Sequence, residues 1–135
     1  MIKDLQKLNI LYVEDDDFIR EHTSSLLKSI FKDVLTAKDG SEGIDTYKKH
    51  HNRLDAIITD INMPKISGLD MAKRIRKNCK QKTPIIAVSA YDCDDYGITE
   101  ISKNFAHYLR KPIQIKDLLT SIDKAIKGEV GDYCK

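Results

Sequence analysis

Four short stretches carry residue types able to do chemistry: Glu14-Asp15-Asp16-Asp17, Asp60-Ile61-Asn62, Ser89-Ala90-Tyr91 and Arg110-Lys111-Pro112. Gathered at one place, Glu14, Asp15 and Asp60 bring three negative charges and Lys111 offsets one. A net of about −2 in one pocket repels itself and raises carboxyl pKa values unless a cation enters. Ligands that are all oxygen, with room left for water, suit Mg²⁺ or the similarly hard Mn²⁺. Beside such an ion, Lys111 and the Ser89 hydroxyl could hold the oxygens of a phosphoryl group while an Asp60 oxygen attacks phosphorus. The chemistry is acyl-phosphate formation on an aspartate.

Each stretch follows a short apolar or β-branched run. The runs 8–13, 56–59, 85–88 and 107–109 precede them in turn, and a fifth run occupies 34–37. Such runs suit strands buried on both faces. Segments with helical spacing lie between them. In the last, Ile115, Leu118, Leu119, Ile122 and Ile126 form one stripe of an amphipathic helix. The first spans 17–31, with Ile19, His22, Leu26 and Ile30 expected inward and Arg20, Glu21 and Lys28 outward. Ile66, Leu69, Ala72 and Ile75 trace another, Ile44 and Tyr47 a shorter one, and Ile98, Ile101 and Phe105 a weak one. Gly40 and Gly68 stand where loops turn into helices, and Pro84 opens a strand. Five strand–helix pairs in sequence predict a doubly wound parallel sheet, because parallel neighbours need crossover connections. Sites in such sheets form at the carboxyl ends of the strands, near the switch in strand order. All four stretches belong there.

The length of 135 residues is that of one domain, and 41% apolar with 33% charged residues is neither a disordered nor a membrane composition. No apolar run approaches the roughly 18 residues needed to span a bilayer, and the first residues lack a secretory h-region. A cytoplasmic location is expected. The net charge of +2 gives no argument for nucleic acid. The odd set Cys79, Cys93 and Cys134 has no Cys-x-x-Cys spacing, so free thiols are expected and neither zinc nor a disulfide framework. The domain is read as 1–127, with 128–135 a frayed tail or linker stub.

Val13-Glu14-Asp15-Asp16, Thr59-Asp60-Ile61-Asn62-Met63-Pro64 with Gly68, Val88-Ser89-Ala90, and Tyr108-Leu109-Arg110-Lys111-Pro112 resemble the receiver (response regulator) domain of two-component signalling. Order and spacing match over about residues 8–127. The resemblance implies a flavodoxin-like five-stranded sheet of order 2-1-3-4-5 with five helices. It implies Asp60 as phosphoacceptor, Glu14 and Asp15 as the acidic pair serving Mg²⁺, and Asn62 lending its backbone carbonyl to the metal. Lys111 would pair with phosphoryl oxygens, Ser89 would bond to them once phosphate arrives, and Tyr108 would turn inward with it, altering the surface of the fourth helix, fifth strand and fifth helix. The Lys111-Pro112 bond is commonly cis in the family. Partners implied are a sensor histidine kinase or histidine phosphotransfer protein, with an output partner or fused output domain. Asn62 and Tyr91, two positions past Asp60 and Ser89, would set access of hydrolytic water. Two departures stand out: Glu14 replaces the commoner Asp, and Asn104-Phe105-Ala106-His107 replaces the usual approach to strand five.

Each residue also has a plainer reading. Asp16 and Asp17 suit helix caps, a lone Asp after a strand is usually a turn former, and Lys111 alone would be a solvated lysine. The basic run 73–82 reads as a solvated helix face, and the scattered His22, His50, His51 and His107 carry no catalytic or metal role. A dehalogenase-like phosphatase needs an acid two positions after its nucleophile, where Asn62 cannot move a proton. A flavin-binding module would find its phosphate repelled by the carboxylates after strand one. The alternative is a pseudo-receiver that only binds partners, which usually lacks the acceptor, the acidic pair or the lysine, and here all are present. The expectation is a phosphorylation switch that catalyses its own phosphoryl transfer and dephosphorylation, not an enzyme turning over a separate substrate.

Overall fold

Apolar runs too short for helices, and apolar on both sides, are stable only inside a covered parallel sheet. The computed structural model, which describes residues 2–78, 83–129 and 131, has that arrangement. Strands β1 (Asn9–Val13), β2 (Asp33–Ala37), β3 (Ala56–Asp60), β4 (Ile85–Ser89) and β5 (His107–Arg110) pair in the order β2-β1-β3-β4-β5, all parallel. Every residue of β3 and β4 is buried, whereas the edge strands β2 and β5 alternate or open toward solvent. The five helices expected are α2 (Asp17–Lys28), α3 (Gly40–His50), α4 (Gly68–Asn78), α5 (Ile98–Asn104) and α6 (Ile115–Ile126). A four-residue helix α1 (Ile2–Leu5) precedes them and a 3₁₀ turn (Cys93–Asp95) precedes α5.

Strand alternation divides the core in two. Leu11, Val13, Ile57, Ile85 and Ala87 meet Tyr47, Met71, Ala72, Ile75, Ile101 and Phe105 on the side of α3, α4 and α5. Ile10, Tyr12, Ile58, Ile86 and Val88 meet Leu27, Leu118, Ile122 and Ala125 on the side of α2 and α6. The chain leaves β1 toward β2 and returns to β3 on the other side, so the strand order reverses between β1 and β3. Val13 is in register with Thr59, which places Glu14 and Asp60 as neighbours at that reversal.

The structure corrects several expectations. Helix α2 ends at Lys28, and its inward face is Ser24 and Leu27, while Ile19 and Leu26 are 40% and 49% exposed and His22 is exposed. Arg20, expected outward, is half-buried, its guanidinium donating to the Glu14 carbonyl at 2.9 Å, so the inward face of the helix departs from its apolar spacing. Arg76 also leaves the solvated basic face, donating to the carbonyls of Thr83 and Asn104, whereas Lys80 and Lys82 lie outside the described residues. Cys93 is buried and disulfide-bonded rather than a free thiol, and Cys79 and Cys134 lie outside the described residues. Past α6 the backbone at 129 and 131 bonds back to the start of β5. The Gly131 N–H donates to the Ala106 carbonyl and the His107 ring bonds the Glu129 carbonyl at 3.1 Å. A Cβ on Gly131 would lie 2.0 Å from His107 Nδ1, so only glycine fits there.

The rotation of α2 separates two adjacent leucines. Leu27→Ala, at 0% exposure, is expected to cost about 2–4 kcal/mol in denaturant unfolding, and Leu26→Ala less than about 1 kcal/mol. Equal losses would return the apolar stripe to the inward face.

Candidate functional site

The carboxyl ends of β1 and β3 deliver the acids and the end of β5 delivers the cation. Glu14 continues β1, its N–H donating to the Ala37 carbonyl, and its side chain is 2% exposed. One Glu14 oxygen accepts from the Asp16 N–H at 3.2 Å and the other lies 3.4 Å from Lys111 Nζ. Asp60, the last residue of β3 and 8% exposed, accepts from Lys111 Nζ at 3.0 Å. Asp15 is exposed, yet Glu14, Asp15 and Asp60 each place an oxygen within 4.8 Å of the others. Asp16 is the N-cap of α2, accepting from the Ile19 N–H at 2.9 Å, so its plainer reading holds.

The backbone around Asp60 is held tightly. Thr59 Oγ1 donates to the Asp60 carbonyl at 2.9 Å, and the Gly68 N–H donates to the Ile61 carbonyl at 2.8 Å. The loop carrying Asn62 and Met63 thereby folds back onto the strand end. A Cβ on Gly68 would lie 2.1 Å from the Asp60 carbonyl oxygen, so any side chain there displaces Asp60 itself.

Electrostatics follow from burial and crowding. Desolvation pushes the Glu14 carboxyl from 4.5 up to about 7; the Asp16 N–H and Lys111 pull it back, and the Asp60 charge adds to the rise. For Lys111, burial works to lower the value, but its hydrogen bond and attraction to Asp60 outweigh burial and hold the ammonium above its ordinary range. Burial likewise pushes the Tyr12 hydroxyl up to about 12. Glu14, Asp60 and Lys111 also line a groove of about 510 Å³ between α2 and α6, walled by apolar residues including Ile19, Leu26, Ile113, Ile115 and Leu118.

Ser89 sits apart from this cluster. Alternation along β4 puts it with Ile85 and Ala87, on the α5 side, where it is 0% exposed. Its Oγ accepts from the Tyr91 N–H at 3.1 Å and pairs with Tyr96 Oη at 2.9 Å. Tyr108 is already turned inward at 6% exposure, and its hydroxyl donates to the Tyr91 carbonyl. Arg110 pairs with Asp92 and donates to the Ala90 carbonyl, so β5 fastens the loop that follows β4. Asn62 and Tyr91 are exposed. The Lys111-Pro112 bond is cis.

The structure therefore assembles Glu14, Asp15, Asp60 and Lys111, and keeps Ser89 with Tyr108 in a neighbouring cluster. Tyr96 carries no sequence signal, since it belongs to no motif and precedes a helix with a weak stripe. Arg20 was also missed, because a side chain that reaches a backbone carbonyl leaves no periodic signal. An oxygen-only acidic cluster with one exposed member is a fitting place for a hard divalent cation.

Residues 10–123 match the family described as response regulator receiver domain. The chain is 30% identical over 123 residues to a probable transcriptional regulator, ycf27, of Porphyridium aerugineum, covering 91% of this chain and 50% of that one. It has the same identity over 123 residues to the uncharacterized transcriptional regulatory protein YkoG of Bacillus subtilis, covering 91% and 53%. The chain thus spans about half the length of these curated relatives. Among solved structures it is similar to a response regulator receiver domain protein from Clostridium thermocellum, with TM-score 0.82 and 31% identity over 90% of this chain and 95% of that one. It is also similar to a chain of the CheX-CheY-BeF3-Mg complex from Borrelia burgdorferi, with TM-score 0.78 and 25% identity over 87% and 88%.

Glu14 makes stability pH-dependent in metal-free protein. Between its unfolded value of 4.5 and about 7 the folded chain binds more protons at Glu14 than the unfolded chain, so stability falls as pH rises across that window. In EDTA, Glu14→Gln is expected to match the parent near pH 4 and to exceed it by roughly 1–3 kcal/mol above pH 7. Parallel pH profiles from denaturant unfolding of the two proteins would mean that Glu14 ionises like a surface carboxylate.

Proposed function

The chain belongs to the response regulator receiver domain family, and from that membership we propose that it is a phosphorylation switch whose acceptor is Asp60. The single observation that carries the reading is the Lys111 ammonium set 3.0 Å from Asp60 and 3.4 Å from Glu14. A general surface acid has no need of such a partner, and a transferred phosphoryl group does.

The proposed donor is a phosphohistidine on a sensor histidine kinase or a histidine phosphotransfer protein. An Asp60 carboxylate oxygen forms the new bond to phosphorus as the N–P bond breaks, and that bond's electron pair returns to the imidazole nitrogen. Lys111, already beside the nucleophile, needs only a small swing to bind a phosphoryl oxygen. The Ser89 hydroxyl can donate to another once it leaves its present partners. Glu14, Asp15 and Asp60, with the backbone carbonyl of Asn62, are the residues proposed to hold Mg²⁺, or Mn²⁺ in its place. When bound, the ion neutralises charge on the reacting oxygens.

This is one transfer to the protein's own side chain, so the domain is not proposed as an enzyme acting on a separate substrate. The state of Ser89 and Tyr108 would be read at the surface of α5, β5 and α6 by an output partner or a fused output domain. No helix among the described residues is long and apolar enough to cross a membrane. A cytoplasmic site of action, shared with the donor's kinase module, is part of the proposal, and neither nucleic acid nor membrane is a proposed direct partner of this domain.

Intact mass after incubation with Mg²⁺ and acetyl phosphate tests the reading. One adduct of roughly 80 Da, the mass of a phosphoryl group, is expected, dependent on Mg²⁺ and absent in Asp60→Asn. No adduct, where a control receiver labels, would make the domain a partner-binding module that is not phosphorylated.

Asn62 and Tyr91, both exposed and two positions past Asp60 and Ser89, are the residues proposed to set access of hydrolytic water. Asn62→Ala and Tyr91→Ala are expected to shorten the aspartyl-phosphate half-life by roughly two- to fivefold through easier water access. Half-lives equal to the parent's, measured by loss of the mass adduct, would remove these residues from control of hydrolysis.

A further inference from the structure

Ser89 has one hydroxyl proton and two lone pairs, and its neighbours already engage them. The Tyr91 N–H takes one lone pair at 3.1 Å, the pairing with Tyr96 Oη at 2.9 Å takes either the proton or the second lone pair, and the Tyr108 hydroxyl is a further side-chain partner. All this lies on the α5 side of the sheet, in a side chain that is 0% exposed, whereas Asp60 and Lys111 line the groove on the α2 and α6 side. To donate to a phosphoryl oxygen on Asp60, the Ser89 hydroxyl has to turn away from Tyr96.

Tyr96 is well placed to resist that turn. Its ring packs against the core beside α4 and α5 and lies 6.4 Å from the Tyr108 ring, tilted by 52°. It closes the 3₁₀ turn, its N–H donating to the Cys93 carbonyl at 3.1 Å. The next residue, Gly97, has φ +86°, a left-handed backbone that favours glycine, with open space around a would-be Cβ. The turn is anchored by the buried, disulfide-bonded Cys93 that opens it, and this keeps the Tyr96 ring beside Ser89.

We infer that Tyr96 is a positioning residue that holds the Ser89 hydroxyl on the α5 side in the unphosphorylated chain. It thereby sets how readily the phosphoryl-binding arrangement forms. The inference rests on the proposed role of Asp60 and adds a regulator to that site. Apparent affinity for a ligand scales with the fraction of protein in the competent arrangement, so removing one hydrogen bond that favours the other arrangement raises it.

The test is titration of ¹⁵N-labelled protein with beryllofluoride, a phosphoryl mimic, in the presence of Mg²⁺, followed by amide shifts. Parent, Tyr96→Phe, Ser89→Ala, the double variant and Asp60→Asn are compared. Tyr96→Phe keeps the ring and loses only the hydroxyl, and its melting temperature reports whether packing is intact. It is expected to bind beryllofluoride about threefold to tenfold more tightly than the parent, the range one neutral hydrogen bond supports. In the Ser89→Ala background the same substitution is expected to change affinity less than twofold. That dependence on Ser89 separates positioning from a general packing effect. Unchanged or weaker binding in Tyr96→Phe, or an equal gain without Ser89, overturns the inference. Failure of the parent to bind in an Asp60-dependent way overturns the proposed function and this inference with it. Binding through Asp60 with no effect of Tyr96 overturns this inference alone.

Discussion

The Lys111 ammonium between Glu14 and Asp60 is the contact on which the rest of the site depends. Two carboxylates 4–5 Å apart repel by roughly 3–4 kcal/mol at an effective dielectric near 20, and both are almost fully buried. One ammonium compensates one of them. The surplus is carried in part by the Asp16 N–H and in part by the upward shift of Glu14 to about 7. A site that keeps unspent negative charge in this way is poised to take up cationic charge, and its own lysine is the first to supply it.

That contact joins residues 97 and 51 positions apart in the chain, so it exists only because the sheet brings strand ends together. Register does the work. Val13 opposite Thr59 makes Glu14 and Asp60 neighbours, and the reversal of strand order between β1 and β3 leaves a crevice above them that no crossover helix fills. Gly68 allows the loop after β3 to lie against the Asp60 carbonyl, a closeness that any Cβ would forbid. Rigid placement of the acceptor therefore comes from backbone packing, and charge tuning comes from side chains.

A second cluster adjoins the first without sharing its face of the sheet. Ser89, Tyr96 and Tyr108, with the Arg110–Asp92 pair, tie the loop after β4 to β5. The loop is held by these polar contacts at its ends and, between them, by the buried, disulfide-bonded Cys93 and the Tyr96 ring packed on the core. Polar contacts of this kind exchange partners at modest cost, whereas a packed apolar core does not deform by degrees. The hydrogen-bond pairing of Ser89 can therefore change while the packed sheet keeps its arrangement.

Much of this was legible in the chain itself. Both-face apolar runs alternating with amphipathic segments define a covered parallel sheet, and the acids, hydroxyl and lysine stand directly after those runs, so local pattern sufficed for the fold class and for the acidic cluster with its lysine. Periodicity misplaces the inward face of α2, where Arg20 reaches the Glu14 carbonyl and Ile19 and Leu26 wall the groove instead of the core. It carries no signal for Tyr96, and the odd cysteine count points to free thiols where Cys93 is disulfide-bonded. Residue pattern records which face of a local element is apolar. It does not record a single polar atom meeting another across the fold, so the partner of Ser89, the rotation of α2 and the raised pKa of Glu14 were decided only by the tertiary structure.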